Sequence, residues 1–181
     1  MRIIFRTLSL AALLLWAGTA VAAVDIAGVK VDEALSVAGT RLQLNGAGVR
    51  YKGPFKVYVG DLYATRPVKS LDELIAAPGP KRLGMTFLRE INSAEFGKML
   101  TRGIEDNVSR SEVSKIIPGM IKMGDIFAAN KAFAPGDVCV LEWDPAKGLS
   151  VWVNGKLQAE PMNDPVLFLA LMSIWFGHRP A

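Results

Sequence analysis

The segment formed by residues 166–175 is apolar almost all the way round a helix. Its large apolar side chains are Val166, Leu167, Phe168, Leu169, Leu171, Met172, Ile174 and Trp175. Asp164 is a suitable N-cap for this helix, and Pro165 suits its first position. A helix without a polar face cannot leave one side in water. This helix must therefore be buried within the fold or covered by a partner protein.

Segments with strand character come first in the chain. Residues 40–44 alternate polar and apolar side chains, as a half-buried strand does. Residues 45–48 (Asn-Gly-Ala-Gly) interrupt this pattern and suit either positive φ angles or a bulge. A second strand runs through Phe55, Val57, Val59 and Leu62. Simple alternation would place Tyr58 on the opposite face from Phe55 and Val57. Residues 83–88 form a third, shorter candidate strand.

Helical signals occupy the middle of the chain. Ser70 and Glu73 have the spacing of a capping box, so a helix is predicted to begin at Ser70. Ser93 opens the clearest helix, and its apolar side chains recur at helical spacing. These residues are Phe96, Met99, Leu100, Gly103 and Ile104. A further helix is predicted to begin near Ser111, where Pro118 should kink it or split it.

Two more strands precede the final helix. Residues 138–143 have the apolar composition of a buried strand, and residues 149–153 form the next one. Asn154-Gly155 follows directly, which is the strongest sequence signal for a tight hairpin. The order of elements is therefore strands, helices, strands and a helix. It predicts one α+β domain with an antiparallel sheet covered on one side by helices.

The first 22 residues have the pattern of a secretory signal peptide. Arg2 and Arg6 lie before an apolar run, and small residues of the form Ala-Val-Ala end the segment. The apolar run is about ten residues long, whereas a membrane-spanning helix needs about 20. This favours a cleaved signal peptide at 1–22 over an uncleaved anchor. The expected destination is the periplasm, and residues 23–181 form the expected folded domain.

Charge and residue counts exclude several classes of function. Residues 1–22 hold two of the 21 basic residues and no acidic residue, so the net charge falls from +4 to about +2 after export. That small charge gives no case for nucleic-acid binding. His178 and Cys139 are the single His and the single Cys, which is too few for a typical zinc site or an internal disulfide. Cys139 lies between two valines and is expected to be inert core. No cofactor is expected, because Gly46 and Gly48 lack the third glycine and the helix of a dinucleotide loop.

Three stretches together resemble the secreted bacterial branch of the chalcone isomerase-like family. The first joins the Gly-x-Gly-x-Arg of residues 46–50 to the strand that ends at Leu62-Tyr63. The second combines residues 133–137, 143–145 and 151–155, and the third is the tail of residues 171–177. The resemblance covers about residues 24–178. It implies an open-faced β-sandwich, which is a long antiparallel sheet covered by helices, in agreement with the fold expected from patterning.

The family resemblance also implies a site. Plant members close a chalcone to a flavanone, using an Arg that stabilises charge and hydrogen-bonding Thr, Tyr and Asn residues. Related non-catalytic members hold a fatty-acid carboxylate with an Arg and a Tyr. By resemblance the Arg is Arg50, and Tyr58 takes the strand position in the manner of the fatty-acid binders. The helix positions of the enzyme's Tyr and Asn fall at Phe96 and near Gly103, which supply no side-chain donor.

Each candidate residue has a simpler alternative. A buried Arg needs an anionic partner, so Arg50 could pair with a carboxylate of the protein instead of a ligand. Tyr58 could be an ordinary packing residue of a strand. Phe96, Met99 and Leu100 could belong to the core, to the wall of a ligand pocket between helix and sheet, or to both. Met120 and Met123 could add adaptable walls to such a pocket.

Three functions follow as hypotheses. The first is a non-catalytic protein that binds a small amphipathic or lipid-like anion such as a fatty acid, held by Arg50 and assisted by Tyr58. The second is an isomerase (an intramolecular lyase) that acts on an enone, with Arg50 stabilising enolate charge. The third is an interaction protein whose last apolar helix docks on a partner.

Overall fold

The computed structural model describes residues 23–180, so the predicted signal peptide at 1–22 lies outside the described residues. The strands are β1 (Ala23–Ile26), β2 (Val29–Asp32), β3 (Ala34–Val37), β4 (Thr40–Lys52), β5 (Phe55–Ala64), β6 (Lys81–Phe87), β7 (Ile91–Asn92), β8 (Ala132–Phe133), β9 (Val138–Asp144), β10 (Gly148–Val153) and β11 (Lys156–Leu157). The helices are α1 (Leu71–Ala76), α2 (Ser93–Glu105), α3 (Arg110–Ala128) and α4 (Pro165–Phe176).

Seven strands form one antiparallel sheet, in the order β11-β10-β9-β6-β5-β4-β3. The four helices lie against one face of it, which confirms the α+β fold expected from the sequence. The predicted Asn154-Gly155 turn joins β10 to β11, and both residues have positive φ angles, of 48° and 75°. A type I′ turn needs positive φ at both central positions, which Asn and Gly adopt most easily.

Strand β4 continues through the glycine-rich stretch instead of turning there. Its register with β5 passes from Leu44 to Gly46, so Asn45 is the extra residue of a bulge. Gly46 and Gly48 are not among the residues with positive φ. Of the two conformations that the sequence allowed, the bulge is therefore the one that forms. The Asn45 side chain accepts a hydrogen bond from the Val68 backbone at 2.7 Å.

A second bulge changes the face on which Tyr58 was expected. Arg50 is opposite Tyr58 and Tyr51 is opposite Lys56, which leaves Val57 without a partner residue in β4. An extra residue breaks the alternation of side chains along a strand. Val57 and Tyr58 consequently pack in the same core cluster on the helix side. The expectation that they point to opposite faces was wrong for this reason.

Helix α2 packs as its periodicity predicted, since Phe96, Leu100 and Ile104 are buried. Its N-cap is Asn92, whose side chain accepts from two backbone amides of the first turn. Helix α3 begins after Ser109, which forms a capping box with Glu112. Pro118 lies within this helix and does not divide it.

Helix α4 is covered by the rest of the chain. It contacts α1, α2, α3 and β10. Its fully buried residues include Leu167, Phe168, Leu171 and Ile174, all no more than 3% exposed. Because the fold itself covers this helix, the hypothesis of a docking helix loses the observation that motivated it.

A hairpin partly covers the other face of the sheet, which the sequence did not indicate. Strands β1 and β2 pair with each other and contribute Val31 to a second, smaller core cluster. That cluster also contains Leu42, Val59 and Tyr63. The Tyr63 hydroxyl donates to the Asp32 carbonyl at 2.8 Å, which ties the hairpin to the sheet.

Cys139 lies in β9 and is fully buried on the helix side. Burial disfavours the thiolate and raises the pKa of its thiol to about 12. The expectation of an inert core cysteine is therefore confirmed. Among residues 23–180, the helices are all too short or too polar to cross a bilayer.

Candidate functional site

Arg50 and Tyr58 lie side by side on the helix-facing side of the sheet. They are direct cross-strand partners in β4 and β5. Side chains at such positions are close enough to act on one ligand group. The bulge at Val57 keeps Tyr58 on this face, because the alternation of β5 restarts there. The two residues that the family resemblance singled out are thus brought together by strand register.

The Tyr58 hydroxyl accepts a hydrogen bond within the protein but donates none to the described residues. Trp175, near the end of α4, donates its indole N–H to this hydroxyl at 2.9 Å. The phenol proton has no acceptor among the residues that the structure describes. Burial raises the pKa of Tyr58 above its ordinary value, although the Trp175 hydrogen bond and the charge of Arg50 oppose that rise. Tyr58 therefore remains a hydrogen-bond donor at neutral and mildly alkaline pH.

A cavity of about 310 Å³ lies between this part of the sheet, α2 and the residues that follow α4. All five residues predicted for the site line it, namely Arg50, Tyr58, Phe96, Met99 and Leu100. We call this cavity the head pocket. Its volume is at the lower end of the range found for small-molecule sites, about 300–1,000 Å³.

Phe96 forms the inner wall of the head pocket and the centre of an aromatic cluster. It is fully buried and meets the rings of Tyr58, Phe87, Phe127 and Phe133 edge-on, with centroids 5.1–6.4 Å apart. Edge-to-face contacts at such distances are favourable. Phe96 is therefore both a core residue and part of the pocket wall. Met99 is half-buried and Leu100 is 6% exposed, so both add apolar wall.

The rim of the head pocket is basic. Arg50 is half-buried, whereas Lys52, Arg102 and Arg179 are exposed around it. Asp106 is the acidic residue of the lining. Within residues 23–180 the one ion pair joins Arg82 to Asp61 at 3.1 Å, on the opposite face of the sheet. Arg50 thus has no carboxylate partner among the described residues, so the salt-bridge alternative for it is not supported.

Three residues of the site were missed from the sequence. Arg102 follows Met99 by three positions on α2, so helical spacing alone would have placed it beside the pocket. Trp175 was assigned only to an apolar helix, and its hydrogen bond to Tyr58 spans 117 positions along the chain. Arg179 lies beyond the last helix, where no periodicity indicates its position.

Asn107 holds the residues after α4 against the head pocket. Its side-chain oxygen accepts from the Arg179 amide at 2.7 Å, and its amide group donates to the Arg179 carbonyl at 3.1 Å. The same amide group donates to the Gly103 carbonyl at 2.9 Å. This double contact places Arg179 and Pro180 in the pocket wall. We call it the Asn107 clasp.

The sequence profile of the chalcone isomerase-like family matches residues 23–181. The chain belongs to the chalcone isomerase-like family. Among solved structures, a fatty-acid-binding protein of Arabidopsis thaliana has a similar fold, with a TM-score of 0.68 and 14% sequence identity. The similarity covers 88% of this chain and 91% of the plant protein. No curated protein sequence matches the chain.

The two helix positions that the resemblance assigned to catalytic side chains both face the head pocket of this chalcone isomerase-like protein. Phe96 and Gly103 line it, and neither has a side-chain hydrogen-bond donor. A Cβ atom at Gly103 would lie 2.9 Å from Cγ2 of Ile174. The close approach of α2 and α4 therefore leaves no room there for a larger side chain.

A second cavity of about 250 Å³ lies between α2, α3 and α4. Met120 and Met123 line it, and they do not line the head pocket with Met99. Leu100 is common to both cavities. The methionines expected to line one pocket are thus divided between the head pocket and this second cavity. In the described part of the chain, no group of three or more His, Cys, Asp or Glu residues is arranged to hold a metal ion.

The Asn107 clasp yields a first prediction. Asn107→Ala should increase hydrogen exchange at the Arg179 amide strongly, because its acceptor is removed. The free energy of unfolding should fall by only about 1 kcal/mol per lost hydrogen bond. Asn130→Ala is the matched control, since Asn130 lies just after α3 and donates to the carbonyl of Ile126 in that helix at 3.0 Å. Equal exchange at Arg179 in both variants would contradict the clasp.

Proposed function

We propose that this protein binds a small amphipathic anion, such as a fatty acid, without catalysing a reaction. The observation that carries the proposal is Arg50, a half-buried guanidinium without a protein carboxylate partner, next to an apolar wall. A charge in such surroundings is unfavourable unless an anion accompanies it. A ligand with a negative head and an apolar body satisfies both parts of the pocket.

Arg50 and Tyr58 supply complementary donors for a carboxylate. A guanidinium remains charged at all physiological pH values and can donate two parallel hydrogen bonds to both carboxylate oxygens. The phenol proton of Tyr58 is available for a third. Trp175 orients that phenol by donating to its oxygen. Lys52, Arg102 and Arg179 add positive charge at the rim, which draws anions toward the pocket.

The similarity to a plant fatty-acid-binding protein supports this proposal at the level of the fold. Phe96 and Gly103 have no side-chain hydrogen-bond donor, although the family's enzymes are expected to have one at each of these two positions. This supports the proposal that the protein is not catalytic. The apolar wall formed by Phe96, Met99 and Leu100 suits the first carbon atoms of the ligand, next to its anionic group.

Replacing the proposed carboxylate donors tests this function. Arg50→Ala should weaken the binding of dodecanoate about 10- to 100-fold, because a hydrogen bond to a charged group is worth about 1.5–3 kcal/mol. Tyr58→Phe should weaken it about tenfold or less, since only one donor is lost. Isothermal titration calorimetry with each purified variant measures both effects.

Matched controls exist on the same strands. Arg41→Ala removes an exposed arginine of β4 that lines none of the cavities described above, and Tyr63→Phe removes a hydroxyl of β5 on the opposite face. Both should bind dodecanoate like the wild type. Mass spectrometry of ligand extracted from the purified protein should detect a lipid-like anion. The proposal fails if the wild type binds no such anion, or if Arg50→Ala binds it unchanged.

A second candidate is an isomerase of the chalcone isomerase type. The observation in its favour is that an unpaired Arg50 beside a donor hydroxyl could stabilise the negative charge of an enolate. We expect the absorbance of a chalcone substrate to decay at its spontaneous rate with the protein present, because Phe96 and Gly103 donate no hydrogen bond. An accelerated decay that Arg50→Ala abolishes would establish an enzyme instead.

We also propose that the protein is exported and belongs to the secreted bacterial branch of its family. The charged start, the apolar run and the Ala-Val-Ala end of residues 1–22 support this, and the family profile begins at residue 23. Expression of the full chain in a Gram-negative host should give a periplasmic protein whose intact mass lacks about the first 22 residues. A full-length product in the membrane fraction would instead support an uncleaved anchor.

A further inference from the structure

Two glycines on the helix-facing side of β4 lie where neither the backbone angle nor a close neighbour requires glycine. Gly46 and Gly48 alternate with Arg50 along the strand, so all three face the same side. Neither has a positive φ angle. A Cβ atom built on either residue would meet no other atom within 4 Å. Glycine weakens a strand, because it has high conformational entropy and no side chain to pack.

Most other glycines of residues 23–180 have an evident role. Gly53, Gly136 and Gly155 have positive φ angles at turns. Gly84 gives room to the Asp61 carboxylate, and Gly103 to Ile174. Gly124 of α3 is the third glycine with an ordinary φ angle and an open site, and it lines the cavity between α2, α3 and α4. Open glycines in this protein therefore lie where there is space to fill.

The space above Gly46 and Gly48 is a groove with a defined shape. Its volume is about 300 Å³, and Gly60 lies opposite Gly48 in its floor. The Tyr58 ring leans over Gly60, 3.5 Å from where a Cβ atom would be. Apolar side chains of the neighbouring strands and of α4 complete its lining, namely Leu62, Leu83, Trp175 and Phe176. We call it the glycine groove.

The glycine groove adjoins the head pocket. Arg50 and Tyr58 line both. If a ligand's anionic group is held between these two residues, the rest of the ligand starts at the end of the groove. Glycine in a strand often marks a bulge, as at Asn45 beside Gly46, or a place where another molecule approaches the backbone closely.

We propose that the apolar body of the ligand lies in the glycine groove, over Gly46 and Gly48. This inference rests on the proposed function and adds the class of ligand. The groove admits an unbranched alkyl chain or a flat aromatic group, with its carboxylate at Arg50 and Tyr58. Trp175 serves both parts of the site, since it lines the groove and orients the Tyr58 hydroxyl.

Filling the groove tests the proposal without endangering the fold. Gly46→Val and Gly48→Val should keep or raise the melting temperature, because valine suits a strand and a Cβ atom at either position meets no other atom within 4 Å. Each should weaken dodecanoate binding at least tenfold. Ala47→Val is the matched control, because Ala47 borders the groove between the two glycines but packs against the cluster on the opposite face. It should bind dodecanoate like the wild type.

A series of carboxylates from hexanoate to dodecanoate separates the groove from the head pocket. For the wild type, affinity should rise up to about fourfold for each methylene that becomes buried. Arg50→Ala should lower every affinity by a similar factor and leave this dependence on length. Gly48→Val should make affinity nearly independent of chain length, because the valine side chain occupies the space of the longer alkyl chains.

Each outcome separates the two proposals. If the glycine variants keep wild-type affinity and length dependence while Arg50→Ala loses affinity, the groove is not the site of the apolar body, although the proposed function stands. Gly124→Leu then shows whether the chain instead occupies the cavity between α2, α3 and α4. If the wild type binds none of the carboxylates, the proposed function and the groove assignment both fail.

Discussion

The burial of Phe96 between the sheet and the helices is the contact on which the site depends. This ring joins α2 to β5, β6, α3 and β8 through the rings of Tyr58, Phe87, Phe127 and Phe133. Rings of this size contribute much of the energy of a core, and their edge-on contacts restrict their orientation. The same contact that holds α2 on the sheet therefore also restricts the orientation of the Tyr58 ring.

The arginines on the two faces of the sheet differ in whether a carboxylate pairs with them. On the face opposite the helices, Asp61 is paired with Arg82. Burial still raises the pKa of Asp61, although the charge of Arg82 opposes that rise. On the helix-facing side, Arg50 has no such partner among residues 23–180. A buried charge that serves only stability is expected to be paired within the protein. Arg50 is half-buried and has no such partner beside its pocket in the described part of the chain, which is the basis of the proposal that an external anion binds there.

Helix α4 connects the core to the site. Its middle is buried against α1, α2, α3 and β10, while its end carries Trp175 and Phe176 into the glycine groove. Beyond it, the Asn107 clasp brings Arg179 to the head pocket. The apolar helix that first suggested a partner protein thus forms one wall of the proposed binding site. Its apolar character is explained by contacts on nearly all sides.

Features decided by near neighbours could be read from the sequence. The buried stripe of α2, the Asp164 cap of α4 and the Asn154-Gly155 turn each depend on residues only a few positions apart. The α+β class followed from the order of such elements. Arg50 and Tyr58 could be named because a known family has an Arg and a Tyr in a similar stretch, which is a different kind of evidence.

The amino-acid sequence by itself therefore determined the longer strands, the helices, the caps of α1 and α4 and the residue types available to a site. Only the tertiary structure decided how they meet. The bulge at Val57 turned Tyr58 toward the helices, because an extra residue shifts every later side chain to the other face. The contacts of Trp175 and Arg179 with the site span many positions of the chain. Local periodicity carries no information about such contacts, which depend on the packing of the whole chain.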